Sequence, residues 1–319
     1  MTRAGRAPAR SARPQLPAQI HVFVRDWLSS NNVLLRSADG NVLIDTGYAK
    51  HAPLTLALVA SRQGLDGNVL SLVVNTHGHS DHIGGNAALR RAYGCRIAMP
   101  DGEADLIDAW DERALLLSYA GQRAERFAVD VRLAAGATER WGDLDWHVIA
   151  APGHDMRAVV FYNAEHRMLV SGDALWHDGF GFVMPPDLDP QALPATRATL
   201  DVLAGLDIET VIPGHGEPFR DVDGALERAY ARLRSLEADP VRMARHAVKV
   251  ILMFALLDRE QMPVDALPAF LGQVPLFADF NERYLRMSTP ALAAWLVDEL
   301  CRARAAQVVD GVLLPRSGR

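Results

Sequence analysis

The sequence predicts an α/β protein, a four-layer αβ/βα sandwich over residues 20–224, followed by a mainly helical segment over residues 225–319. Three observations predict it. Short apolar, β-branched runs alternate with stretches of helical periodicity through the first two thirds of the chain. Histidines and aspartates stand in the turns directly after several of these runs, which places them together if the two sheets end along one edge. Beyond residue 224 the strand-like runs give way to long amphipathic segments.

Taken in order, residues 1–19 carry Arg3, Arg6, Arg10 and Arg13 with no acid and no apolar core. A flexible tail is expected there, with an organelle transit peptide as the alternative, and a cytoplasmic location follows by default. "IHVFVRDW", "NNVLLRS" and "NVLIDTGY" read as three strands, with "ADGN" as the turn of a hairpin. "LTLALVASRQG" reads as a helix with Gly64 near its end, and "LSLVVNT" as a buried strand. The stretch between Met99 and Ala134 reads as largely helical, able to overhang a site through Trp110 and Tyr119 or to pack those aromatics onto the domain. "RWGDLDWHVIAAPGH" and "AVVFYNAEHRMLVSGD" supply a second sheet, and "IETVIPGHGE" ends a further strand.

In the C-terminal segment two helices separate near Pro240, and Val250, Ile251, Phe254 and Leu257 form an apolar face expected to be buried. A later helix has Thr289 as its expected N-cap and Pro290 at the first helical position. "QVVDGVLLP" reads as a hairpin turning at Asp310-Gly311. Helices followed by a hairpin resemble a winged helix. A lid over a pocket or a homodimer contact are the other expected roles for this segment.

Composition narrows the function. A chain of 319 residues, 49% hydrophobic and 23% charged, can bury a substantial core. Its formal charge of -6 argues against a wholly basic nucleic-acid binder, while leaving room for a local patch. Arg242, Arg245 and Lys249 read first as a solvated helix face, with contacts to phosphates of RNA or of coenzyme A as the alternative, and no basic tract is interleaved with aromatics. The two cysteines make no disulfide framework, and no apolar run is long enough to span a bilayer. A small molecule is therefore the expected partner, with no membrane.

The chemistry concentrates in "NTHGHSDHIGG", residues 75–85, where His77, His79, Asp81 and His82 lie between a strand and a helix. Four adjacent ligands are too cramped for one ion, so the expected arrangement divides them. His77 and His79 go to one metal and Asp81 and His82 to a second, each completed from elsewhere in the chain. Three apolar runs end at such residues: His154 after "WHVIAAPG", Asp173 after "RMLVSG" and His215 after "IETVIPG". The simplest assembly is His77, His79 and His154 at the first ion, Asp81, His82 and His215 at the second, and Asp173 as the bridge. Imidazole and carboxylate suit two divalent ions, zinc first, with iron or manganese as alternatives. Asp81 is also expected to orient a nucleophilic hydroxide. His177, a few residues past Asp173, is expected either beside the metals as a substrate contact or proton donor, or as a surface histidine on its loop. Trp176, Phe180 and Phe182 nearby form a wall or a packing anchor.

The run "THGHSDH", then "PGH", "SGD" and "PGHG" resembles the dinuclear pattern of the metallo-β-lactamase superfamily at all seven positions, from about Asn32 to Pro218. The resemblance implies that superfamily's sandwich and a metal-dependent hydrolase. In it the "IDTG" element lies beneath the metals, where Asp45 can orient ligand histidines; a turn-capping carboxylate is the other reading of Asp45. The common zinc β-lactamases take a cysteine where this chain has Asp173, and neither Cys95 nor Cys301 supplies one. Antibiotic hydrolysis is therefore not expected. The pattern is more similar to the hydroxyacylglutathione thioesterases (glyoxalase II), the lactonases and the RNA-processing nucleases. Relatives that bind one iron and oxidise persulfides share it, and a non-catalytic metal-binding regulator is a further alternative. Hydrolysis of an acyl-glutathione- or acyl-CoA-like thioester is preferred, because a thiolate leaves without a general acid and no unambiguous acid is present. The glutathione-binding residues of glyoxalase II are not recognisable in the C-terminal segment.

Overall fold

The computed structural model describes residues 14–316. The first sheet contains β1 (Ile20–Phe23), β2 (Asn32–Leu35), β3 (Asn41–Ile44), β4 (Leu70–Val74), β5 (Arg96–Pro100) and β6 (Val131–Leu133), in that spatial order. β1 to β3 run antiparallel, and β3 to β6 run parallel. Parallel pairing demands crossovers. These are supplied by α1 (Ala52–Ala60), by α2 (Ser80–Ile83) with α3 (Asn86–Tyr93), and by α4 (Asp101–Ala109) with α5 (Leu117–Ala120). Leu43, Ile44, Val73, Val74, Ile97 and Ala98 are fully buried, as strands covered on both faces require.

The second sheet has the order β11-β10-β9-β8-β7, from β7 (Thr138–Trp141), β8 (Leu144–Ala150), β9 (Val159–Asn163), β10 (Met168–Gly172) and β11 (Thr210–Pro213). Only β11 pairs in parallel, reached through α6 (Ala192–Ala204). Alternate residues of both sheets meet in one core, where Val33, Ile44 and Val74 pack with Trp146, Phe161 and Ile212. The outer face of the first sheet is covered by Val59 of α1, Leu89 of α3 and Ile107 of α4. The outer face of the second is covered by Leu200 of α6 and by Ala225, Ala229 and Leu233 of α7 (Val222–Ala238). The result is the four-layer αβ/βα sandwich.

α8 (Pro240–Arg259) opens the C-terminal unit, and the Asp239 carboxylate caps it by accepting from Arg242 N at 2.9 Å. There follow β12 (Met262–Pro263), α9 (Leu267–Gln273), α10 (Pro275–Phe280), a π-helical turn over Asn281–Leu285, α11 (Thr289–Arg302), β13 (Ala306–Val309) and β14 (Val312–Pro315). The small sheet has the order β12-β14-β13, which with the intervening helices is the connectivity of a winged helix. Its own core gathers Leu252, Leu256, Leu267, Phe277, Leu296 and Leu313. Asp310 and Gly311 both adopt positive φ at the hairpin turn.

The end of α8 is tied to the sandwich. Lys50 Nζ donates to the carbonyls of Leu257 and Asp258 at 3.0 and 2.8 Å, placing a cation on the unpaired carbonyls of a helix C-terminus. Tyr48 OH donates to the Asp258 carboxylate, and its ring meets Phe254 edge-on at 5.4 Å. Among the described residues no helix is long and apolar enough to cross a membrane.

Several local expectations change. Val131–Leu133 is an edge strand rather than helix, and residues 121–130 are irregular. α11 is capped by Ser288, whose hydroxyl accepts from Ala291 N, so Thr289 and Pro290 each sit one position further into the helix. Asp81 and His82 lie on the short helix α2 rather than in a loop. Of the N-terminal tail, residues 1–13 lie outside the described residues, while the Gln19 carbonyl already accepts from Arg36 N beside the first sheet.

Candidate metal centre

All seven candidate ligands follow the C-terminal ends of strands. β4 runs through Asn75 and Thr76 into His77, Gly78 and His79, and α2 then turns Asp81 and His82 back beneath the strand end. His154 follows β8, Asp173 follows β10, and His215 follows β11. Glycine is needed at two of these turns. A Cβ at Gly78 would lie 2.4 Å from Glu103 Oε2, and one at Gly214 would lie 2.3 Å from Asp173 Oδ1.

The ligand-type atoms form two groups, His77, His79 and His154 in one, and Asp81, His82, Asp173 and His215 in the other, with the atoms of each within 4.8 Å of one another. Within the first, His77 Nε2 lies 3.1 Å from His79 Nδ1, which lies 2.7 Å from His154 Nε2. Asp173 reaches both groups, with Oδ2 3.3 Å from His154 Nε2 and Oδ1 3.3 Å from His82 Nε2.

The opposite ring nitrogens are anchored. His77 Nδ1 meets Thr76 Oγ1 at 3.0 Å, His82 Nδ1 meets Asp45 Oδ2 at 2.8 Å, and His154 Nδ1 meets the Phe182 carbonyl. Each contact aims Nε2 into the cluster. Asp45 also accepts from Thr76 N and Thr76 Oγ1, both at 2.9 Å, and holds this position at a φ of 56°. The ligand-orienting place expected for it is thus where it lies. His79 is turned the other way, its Nε2 3.7 Å from Asp155 Oδ2.

Charge in the cluster is arranged for cations. Burial and the neighbouring imidazoles of His82, His79 and His154 hold His77 well below the ordinary histidine pKa, and burial with His154 pulls His79 down to about 4. Burial opposes ionisation of Asp173, but His82, His215 and His154 outweigh it and hold the carboxyl well below its usual range. Burial likewise pulls on His82, and Asp45, Asp173 and Asp81 overcome it and raise the imidazole well above its usual value. Three ring nitrogens at 2.7–3.1 Å cannot all be satisfied by protons shared among themselves, and His82 Nε2 is buried without a hydrogen bond of good geometry, although Asp173 Oδ1 lies 3.3 Å away. Divalent ions fit this donor set, since each nitrogen then has a lone-pair acceptor and each carboxylate a counter-charge.

Two acids escaped the sequence reading. Asp155 is buried beside His79, and Glu103 of α4 is 1% exposed with neither oxygen in a hydrogen bond of good geometry, although Asp155 and Gly78 lie close. Asp155 stands directly after His154 and was open to notice. Glu103 carries no signal in sequence, because it reads as one of several acids on an amphipathic helix.

A cavity opens over the cluster. Its floor includes His79, Asp81, His154, Asp173 and His215, and its walls come from Trp27, Trp176 and Phe182 and from α5, α8 and α10. Trp110 and Tyr119 pack instead, against Phe127 and within the C-terminal core, and the insertion meets the cavity through Leu116, Ala120 and Gln122. The α8 face expected to be buried is so at Ile251 and Phe254, and these two with the half-buried Val250 also line this cavity. Phe180 is a packing anchor beneath Arg232, whereas Trp176 and Phe182 are wall.

His177 is not brought to the cluster. Its side chain is half exposed, with Nδ1 3.0 Å from Asp178, and it lines a neighbouring cavity with Arg25, Asp26, Asp178 and Arg232. The two cavities share Trp27, Trp176 and His215.

The sandwich with a histidine–aspartate cluster at the strand ends defines the class. The model of the metallo-beta-lactamase superfamily matches residues 25–215, and the chain belongs to that superfamily. It is similar to a hydroxyacylglutathione hydrolase of Rhodopseudomonas palustris, 32% identical over 149 residues, which are 43% of this chain and 50% of that one. The chain thus spans about half the length of such a curated relative. Among solved structures, a metallo-beta-lactamase motif mutant from Cronobacter sakazakii superposes with a TM-score of 0.56 at 17% identity, covering 72% of this chain and 96% of that one. A chain solved in a di-iron-bound form superposes with a TM-score of 0.53 at 26% identity, covering 66% and 98%.

Proposed function

We propose that this protein is a dinuclear metal-dependent hydrolase of small-molecule thioesters. The observation that carries the reading is Asp173, whose two oxygens face two separate groups of ligand-type atoms at the floor of one cavity. The similarity to hydroxyacylglutathione hydrolases supports a thioester as the substrate.

His77 Nε2, His79 Nδ1 and His154 Nε2 would hold one ion, Asp81, His82 and His215 the second, and Asp173 would contact both. Zinc is the first expectation, with iron or manganese serving the same ligands. When bound, such a pair supplies Lewis-acid polarisation of the carbonyl and lowers the pKa of the attacking water. The chain's own part is positioning. Asp45 and Thr76 fix the ring of His82, and Thr76 that of His77, so neither turns away from the cluster. Asp81, held ionised mainly by His82 and His215 against the effect of burial, offers a carboxylate that can orient the attacking water and accept its proton. The walls of the cavity exclude bulk water from the carbonyl. The C–S bond then breaks to release a thiolate, which needs no protonation, so no acid at His177 is required.

The test is elemental analysis of the purified chain together with thiol release from a thioester panel. Two ions per chain and hydrolysis are expected, with His79→Ala losing metal and Asp173→Ala losing both metal and turnover. Unchanged metal content in both variants would overturn the assignment.

A further inference from the structure

The wall of the cavity has a definite chemical character. Leu116, Phe182, Val250, Ile251, Phe254 and Leu276 face it, and among the described residues that line it there is no lysine or arginine. The cavity that adjoins it across Trp27, Trp176 and His215 is the opposite, lined by Arg25, Asp26, Asp178 and Arg232. One compartment next to the cluster is therefore apolar and the other charged.

We propose that the apolar compartment selects the acyl group of the substrate, taking an uncharged aliphatic or aromatic acyl chain of medium length and rejecting short, hydroxylated or anionic acyl groups. This rests on the thioesterase reading above and narrows it. Each methylene seated against this wall leaves water for a mainly hydrocarbon surface, which favours longer chains by about fourfold per methylene until the cavity is full. A carboxylate on the acyl group would be buried with no cation in the wall to receive it, and that desolvation is not repaid. A polar or charged thiol carrier leaves through the second compartment, where charged side chains and water are within reach. Most of the apolar wall comes from α8 and α10 of the C-terminal unit and from the α5 crossover, so these helices, rather than the two sheets, set the preference.

The test uses the full metal-loaded chain and thioesters of one uncharged thiol, N-acetylcysteamine, bearing acetyl, butyryl, hexanoyl, octanoyl and glutaryl groups. Thiol release should give kcat/KM rising about fourfold per methylene, roughly 250-fold over the four methylenes from acetyl to hexanoyl, with glutaryl at least a hundredfold below hexanoyl. Val250→Arg, at a half-buried position on the wall, should raise glutaryl relative to hexanoyl by tenfold or more. Calorimetry with non-hydrolysable S-propyl and S-hexyl thioethers of the same carrier gives a readout without turnover. Tighter binding of the hexyl analogue with no hydrolysis of any thioester supports the apolar site and sinks the hydrolase reading. Hydrolysis with no chain-length preference, or with glutaryl equal to hexanoyl, overturns the apolar site and leaves the hydrolase. Neither binding nor turnover overturns both.

Discussion

Glu103→Gln should stabilise the protein increasingly as pH rises. The Glu103 side chain is 1% exposed and lies against Gly78 and near Asp155. Burial, and then the charge of Asp155, push its carboxyl well above the ordinary glutamate pKa. The sign follows from proton counting. Below about pH 4.3 the folded and unfolded chains both hold this proton and it contributes no slope. Above that value the unfolded chain releases it while the folded chain keeps it, so stability falls at about 1.4 kcal/mol per pH unit until the folded group also ionises. Each pH unit inside that interval thus changes the difference by an amount on the order of 1 kcal/mol. Glutamine has the shape of the protonated acid and no proton to lose, so the variant lacks the slope. Urea denaturation of wild type and variant at pH 5, 6 and 7, metal-loaded and metal-free, measures it, because titrations common to both cancel in the difference. Parallel stability profiles would refute the claim that Glu103 is folded as the neutral acid.

Asp45→Asn keeps the shape of the side chain and tolerates the positive φ, yet it turns an amide toward His82 and Thr76 in place of an acceptor. Metal affinity should fall 10- to 100-fold, read by competition with a chromophoric chelator, with a stability loss of about 2 kcal/mol. Wild-type affinity in this variant would mean that the Asp45 contact does not hold the imidazole. His177→Ala should leave kcat/KM for thioesters within about twofold, since its imidazole meets Asp178 rather than the cluster. A loss of a hundredfold or more, the size of a general-acid contribution, would show that the loop closes over the substrate.

Much of the architecture is legible in local pattern. The β-branched runs that became β3, β4, β9 and β10 announce themselves because both faces of these strands are covered, and the Asp310-Gly311 turn is set by two residues that tolerate positive φ. Where local pattern misled, a tertiary contact explains it. Val131–Leu133 lacks the length to read as a strand and becomes one because the free edge of β5 pairs with it. The apolar stripe of α8 has the same periodicity whether it faces a packed core or an open cavity, so the pattern shows Ile251 and Phe254 as buried without showing that they and Val250 also line the cavity.

By itself, the sequence determined the ligand types, the turns that carry them and hence the superfamily, because histidine, aspartate and glycine at fixed local spacing leave few other chemical uses. Only the tertiary structure decided which atoms meet. Asp173 reaches toward both groups, Asp45 holds His82 from beneath, His177 meets Asp178, and Glu103 ends buried beside Asp155. The physical reason is range: backbone preference and periodicity act over a few residues, whereas the pairings of Asp173, Asp45 and Glu103 span about 20 to 90 positions and are settled by how two sheets and the C-terminal helices pack.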